Sequence, residues 1–328
     1  MKIYIHYNLT ENPYGGANSF LRALKSEILK HEDFRIVESV KEKPDVFIYN
    51  SFSMGNKIIN INTIRNISRF GYPNYLLFSL EIFKKRKVFL IHRVDGVVQL
   101  YGRMNKEEDD LQFELNNFAD HTIFQSRFCL ESFKAFGYSG ENHSVILNGV
   151  DKGVFNLKGK GYWDGRSKLR VLSCSWSKNL KKGFDTIAKT SELEFVESYF
   201  IGNWPEGVDA KRVKIMKPMR QGELSEEYRK CDIFLHPAQN DPCPNCVLEA
   251  LSCGLPVLHD RSGGTPEIVN GKYGTEVKSD LNLVFEEVRK RYYDWVENIR
   301  RDLAMFSINR AAREYLKTIG ELSIPKEL

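Results

Sequence analysis

No apolar run in this chain approaches the ~20 residues that a membrane-spanning helix needs, and neither a short repeat nor a low-complexity tract appears. Helical membrane proteins, solenoids and disordered linkers are thereby set aside. Cysteine is sparse, with six residues in 328, too thin for the disulfide framework of a small secreted domain. Cys243 and Cys246 form a C-x-x-C, but no histidine stands at ligand spacing, so they read as reduced thiols inside a larger motif and not as a metal or redox site. Zinc-finger spacing is missing, as is a sustained basic stripe with interleaved aromatics. Lysine plus arginine (48) exceeds aspartate plus glutamate (43) by only five. That excess suits a small anionic ligand or a lipid headgroup and points away from nucleic acid. The opening MKIYIHYNLT alternates like a strand and lacks the apolar core of a signal peptide, which predicts a cytosolic protein.

What is present is a globular composition, 42% hydrophobic and 28% charged, in a chain long enough for two cores. Strand and helix patterns alternate throughout. KIYIHYN, FRIVESV, DVFIYN, KVFLIH, HTIFQS and SVILNG read as strands in the first half, with ANSFLRALKSEILK and RFCLESFKAF as helices. In the second half LRVLSCSW, EFVESYFIG, VKIMK, DIFLHPA and LPVLH read as strands. GFDTIAKT, SEEYRKC, NCVLEALSC and TPEIVNG read as helices, the last capped by Thr265 with Pro266 in its first turn. Repeated strand–helix units predict an α/β fold with parallel sheets covered on both faces. Three glycines and several lysines between 156 and 168 mark a join. It divides the chain into residues 1–157 and 158–304. The sequence leaves open where the last helix packs, a return of about 305–328 onto the first domain included. The segment 75–87 sets apolar residues before four basic ones. It allows peripheral contact with an anionic membrane surface, but a buried helix with a solvated basic end explains it better.

Ligands of open parallel sheets bind beyond the carboxyl ends of the strands. After DIFLHPA comes a proline-stiffened loop, QNDPCPN, and then a helix for which Asn245 makes a good N-cap. Free amides at 246–248 would face an anion such as a diphosphate. Glu249 follows one turn into the helix, on the Asn245 face, placed to accept ribose hydroxyls. Asp241 opens the loop, placed to accept sugar hydroxyls. Alone, either carboxylate would read as a turn former or a solvated helix residue. After LRVLSCSW, Lys182-Gly183 sits at a strand-to-helix turn, a phosphate-binding position. Gly15-Gly16 permits close approach of backbone to ligand before the first helix.

The run DPCPNCVLEALSCGLPVLHDRSGGTPEIV closely resembles the signature of the retaining glycosyltransferases of family 4, which have the GT-B fold: two Rossmann-like domains facing across a cleft. Glu249, Gly254, Pro256, Gly263, Gly264, Pro266 and Glu267 keep that pattern, while Asp241 replaces its first glutamate. Lys182-Gly183 matches the family's diphosphate grip, but Trp176 stands six residues earlier in place of an arginine, with Lys178 and Lys181 as other sources of charge. His92 matches a histidine that faces the reacting sugar. Arg93 and Asp95 follow it on the acceptor side. NGVDKGVF at 148–155 resembles the end of the family's N-domain.

The resemblance implies that a nucleotide-diphosphate sugar is held by the C-terminal domain. Its site would comprise Gly15, Gly16, Lys182, Gly202, Asp241, Pro244, Asn245, Cys246, Val247 and Glu249, with base contacts near Gly202 and Lys217. His92, Asp241 and Lys182 would act at the reacting centre. A glycan or lipid-linked acceptor would lie against the N-terminal domain, in surface polysaccharide synthesis at the inner face of the membrane. No cofactor is implied. No metal is implied either, since the chain contains no Asp-x-Asp of the kind that holds a divalent ion on a diphosphate. Other readings are a non-catalytic sugar-nucleotide-binding scaffold, motivated by Asp241 and Trp176, and a GT-B epimerase.

Overall fold

The computed structural model describes residues 1–11, 15–52, 60–70, 88–102 and 105–323. The segment 75–87 lies outside the described residues. Among the described residues no helix is long and apolar enough to cross a membrane.

The first sheet contains β1 (Lys2–His6), β2 (Arg35–Ile36), β3 (Val46–Asn50), β4 (Phe89–Arg93), β5 (His121–Phe124) and β6 (His143–Val145) in the order β2-β1-β3-β4-β5-β6. The second contains β7 (Leu169–Ser175), β8 (Val196–Gly202), β9 (Lys214–Met216), β10 (Ile233–His236), β11 (Val257–His259) and β12 (Gly274–Glu276) in the order β12-β11-β10-β7-β8-β9. Every pairing is parallel. The central strands are buried on both faces, VFIYN of β3 and IFLH of β10 without exception, as sheets covered by helices require. The helices are α1 (Gly15–Ile28), α2 (Ile61–Phe70), α3 (Lys106–Asn116), α4 (Arg127–Ala135), α5 (Phe184–Ser191), α6 (Gln221–Lys230), α7 (Asn245–Ser252), α8 (Thr265–Val269), α9 (Leu281–Asp302) and α10 (Ile308–Ser323).

The strand orders reverse direction at two places, between β1 and β3 and between β7 and β10, and there the carboxyl ends open crevices. The first crevice is bordered by the start of α1 and by Asn50 and Ser51. The second is bordered by the loops 176–183 and 237–244.

The last helix returns to the first sheet. Ile308, Ala311, Ala312, Tyr315, Leu316 and Ile319 are buried in one cluster with Phe20, Leu21, Leu24 and Ile28 of α1 and with Ile3, Ile48 and Ile91 of the sheet. Val150 and Ser307 form a parallel bridge, so the two chain crossings between the halves lie side by side. Arg310 fastens them by donating to the carbonyls of Leu147 and Asn148 at 2.8 and 2.6 Å.

FRIVESV is strand over only two residues, because Ser39 caps a short helical turn at Val40–Glu42. The α8 cap is Gly264, with Thr265 already helical. Asn245 is likewise inside its helix, and Pro244 occupies the cap position.

Because α10 completes the first core, truncating it there should be costly. Ile319→Ala is expected to lose about 2–5 kcal/mol, seen as a drop in melting temperature. Lys317→Ala on the exposed side of the same helix should stay within about 0.5 kcal/mol.

Candidate active site

The second crevice is built by close backbone approaches. Gly183 has φ +77°, and a Cβ there would lie 2.5 Å from the carbonyl oxygen of Pro237. Glycine is thus the residue that lets the turn into α5 lean on the end of β10. Gly264 is as constrained, since a Cβ would meet the Pro242 carbonyl oxygen at 2.0 Å. The Gly264 amide donates to the Asp241 carbonyl at 2.8 Å, so the Gly263-Gly264 element braces the loop that carries Asp241.

These approaches bring Lys182 and Asp241 together at 2.6 Å, Nζ to Oδ2. Burial opposes the charge on each. The pair outweighs it, holding the Lys182 ammonium above its usual range and the Asp241 carboxyl below its own. The Cys243 amide adds to the stabilisation of that carboxylate. Beside them α7 begins. Val247 donates its amide to Pro244, so the orphan amides at this helix end are those of Asn245 and Cys246, one residue earlier than the sequence suggested. Glu249 lies one turn in, buried, with Oε2 3.3 Å from the Tyr228 hydroxyl. Desolvation pushes its carboxyl up to about 7, with the Tyr228 hydrogen bond working the other way.

Asn245 does not cap α7 with its side chain. Its Nδ2 donates to the Gly16 carbonyl at 2.8 Å, and its Oδ1 accepts from Asn148 at 2.9 Å. Gly15, at φ +58°, and Gly16 therefore face the start of α7 across the cleft. Asn148 also donates to Gln125 and accepts from Arg93 Nη2 at 2.9 Å. On the far side Gly96 packs on Pro242, where a Cβ would come within 2.5 Å of the proline ring. Glu267 spans the halves too, accepting from the Arg127 amide at 2.9 and 3.0 Å at the start of α4.

Two expectations need correction. His92 does not face the cleft. Its side chain lies on the α2–α3 side of the first sheet, fully buried and stacked on Tyr49 at 4.7 Å. Nδ1 donates to Asn116 Oδ1 at 2.8 Å and Nε2 meets Ser51 Oγ at 2.9 Å. Desolvation lowers its pKa to about 4, against that Asn116 bond, so the ring is neutral. Arg93 is also fully buried, its guanidinium 4.7 Å from the Phe20 ring and bonded to Asp95 at 3.2 Å, and it is closed to an acceptor. Gly202 is also constrained by packing: at φ +135° its Cβ would strike the Ser175 carbonyl oxygen at 1.9 Å. Lys178 pairs with Glu206, and Lys181 donates to the Leu100 carbonyl.

One residue was overlooked. His236 ends β10 beside the donor loop, buried, with Nε2 4.0 Å from Asp241 Oδ2. Its position before Pro237, at the carboxyl end of a strand bordering the crevice, was the available signal.

Comparison with known proteins agrees with this architecture. The solved structure of Anabaena HepE in complex with UDP superposes with a TM-score of 0.69 at 15% identity, covering 98% of this chain and 100% of that one. WaaG, a glycosyltransferase involved in lipopolysaccharide biosynthesis, superposes at 0.61 with 15% identity, covering 97% and 99%. The fold is GT-B. Residues 180–292 match the family described as glycosyl transferases group 1. Among curated proteins, the sulfoquinovosyl transferase SQD2 of Arabidopsis thaliana is 28% identical over 172 residues, 47% of this chain and 33% of that protein. A GDP-mannose-dependent alpha-mannosyltransferase of Corynebacterium glutamicum is 22% identical over 168 residues, 48% and 40%. These alignments span between a third and two fifths of the relatives' own lengths.

The Glu249 environment gives a pH test. A carboxyl held near 7 in the fold and near its ordinary 4.5 when unfolded costs nothing at low pH. The cost appears as pH rises from about 4.5 to about 7, reaching about 3 kcal/mol above that. Glu249→Gln removes it. The variant should therefore gain about 2–3 kcal/mol more at about pH 8 than at about pH 5, measured by denaturant titration at both. Equal gains would contradict the buried carboxyl.

Proposed function

We propose that the protein is a glycosyltransferase that moves a sugar from a nucleoside-diphosphate donor to an acceptor hydroxyl with retention at the anomeric carbon. The observation that carries this reading is the meeting of Lys182 and Asp241 beside the orphan amides of Asn245 and Cys246, at the point where the second sheet's strand order reverses. An ammonium and two convergent amides at a helix start suit a diphosphate leaving group, and they supply positive charge where negative charge develops. Asp241 accepts hydroxyls of the transferred sugar. Glu249, ionised on binding, accepts those of the ribose.

The bond from the anomeric carbon to the diphosphate oxygen breaks while the acceptor oxygen bonds to the same face of that carbon. The departing phosphate oxygen takes the acceptor's proton. Asp95, on the loop whose Gly96 touches Pro242, is the acceptor-side carboxylate. His92 is set aside from the chemistry because both ring nitrogens are engaged inside the protein. A glycan or lipid-linked acceptor accords with the names of the relatives, WaaG among them. The positive groups named above take the role that a divalent ion has on some diphosphates. The inner face of the membrane remains the proposed setting. A sugar-nucleotide-binding scaffold is the second reading, favoured by the way Asp241 already neutralises Lys182.

A thermal-shift panel of UDP-, GDP-, ADP- and dTDP-sugars should give one responding class, with stabilisation of about 2.7 kcal/mol at a hundredfold excess over Kd. With that donor, Lys182→Ala and Asp241→Ala should each lower turnover by at least about 100-fold. Turnover within about twofold of the unmutated protein in both would refute the site. Tight binding with neither transfer nor donor hydrolysis would make the protein a scaffold.

A further inference from the structure

The donor loop contains a titratable side chain to which the reaction above gives no task. His236 is buried at the end of β10 with its ring stacked on Phe234, centroids 6.1 Å apart. Its Nδ1 lies 3.6 Å from Cys246 Sγ of α7. Its Nε2 is turned toward Asp241 Oδ2 at 4.0 Å and, among the described residues, has no hydrogen-bond partner. The charged and titratable groups facing it are Asp241, Lys182 before α5, Cys246 with Cys174, Tyr228 and Glu249 behind it, and His259 in register on β11. Among the described residues, Asp241 is the one that brings an opposite charge close to Nε2.

Asp241 is balanced by Lys182 at 2.6 Å. On the reading that a nucleoside-diphosphate sugar binds here, which this inference rests on, the donor presents two negative charges to that same ammonium. Lys182 cannot keep one short bond to the carboxylate and give its full charge to the diphosphate. We propose that His236 is a positioning residue that takes over Asp241 when Lys182 turns to the diphosphate. Nε2 donates to Oδ2 as part of an imidazolium whose added proton comes from solvent. A closure of about 1 Å brings the pair to hydrogen-bond length.

A neutral ring with its hydrogen on Nε2 would also donate, and the charge balance decides between the two forms. With a neutral ring, donor, Lys182 and Asp241 leave two negative charges uncompensated in a buried pocket. With the imidazolium one remains, facing the positive end of α7. The cation also keeps a hydrogen on Nδ1 for the Cys246 sulfur, so neither contact is given up. Donor binding and proton uptake at His236 are therefore linked. The linkage places Asp241 where it can accept sugar hydroxyls without holding back the lysine.

The test follows the seven histidine rings of the full chain by NMR over a pH series, alone and with saturating UDP-glucose and, separately, GDP-mannose. The His236 resonance is assigned from His236→Gln, or from its contact with Phe234 if that variant does not fold. Its titration midpoint is expected to rise by at least about one unit on donor binding, a tenfold change in proton affinity. In Lys182→Met it should already be raised before donor is added. Binding of either donor with an unmoved or lowered midpoint overturns the inference while leaving the transferase reading intact, and so does an unshifted midpoint in Lys182→Met. If neither compound binds, the reading and the inference fall together for these donors. As a second measure, His236→Gln should weaken donor binding about tenfold near pH 6.5 and distinctly less near pH 8.5. An equal loss at both would reduce His236 to a packing role.

Discussion

The side-chain amide of Asn245 pins the molecule together. A parallel sheet gathers its loops at the carboxyl ends of its strands, so two such sheets cooperate only if those ends are held face to face. Asn245 stands at the first helical position of α7. It spends its donor on Gly16 at the start of α1 and its acceptor on Asn148 beyond β6. Asn148 is tied in turn to Gln125 and Arg93. A buried amide left half-satisfied costs about 1–3 kcal/mol, so this chain of bonds fixes the relative position of both crevices as well as stabilising each wall. The same residue leaves its backbone amide at the helix end, beside Lys182 and Asp241.

Glycines set the remaining geometry by what they omit. Gly183 allows the Lys182 turn to rest on Pro237, Gly263 and Gly264 allow the Asp241 loop to rest on the start of α8, and Gly96 allows the first domain to touch Pro242. A charged pair at 2.6 Å is short for groups carried by two different loops. It is attained because both loops are pressed onto rigid strand and helix ends and do not reach for each other through solvent.

The sequence made the parts of the site that depend on local rules legible. A lysine-glycine at a strand-to-helix turn is recognisable from its position, Asp241 only from the signature that its run resembles, and Lys182 and Asp241 do lie together. It did not make pleat parity legible. His92 and Arg93 are neighbours on β4, so their side chains leave opposite faces of the sheet, and both faces are covered. A strand-end position therefore looked exposed when neither residue is. Likewise the close approach of Gly202 to the Ser175 carbonyl oxygen follows from the register of β7 with β8, which no local pattern shows. His236 was missed for the converse reason. One buried histidine in an apolar strand carries no pattern, and its meaning comes from Asp241 five residues on, folded back beside it.

The return of α10 has a consequence for how the molecule is made. Chains emerge from the ribosome from the amino end, and domains tend to fold as units as they appear. Here the first domain lacks part of its own core until α10 is synthesised. Phe20, Leu24 and Ile28 wait for Ile308, Tyr315 and Ile319. The second domain, whose strands and helices run without interruption from β7 to α9, can close first. The first domain is thus completed after the second, with apolar surface on α1 uncovered until α10 has been made. Solubility of the nascent protein then depends on how quickly α10 docks.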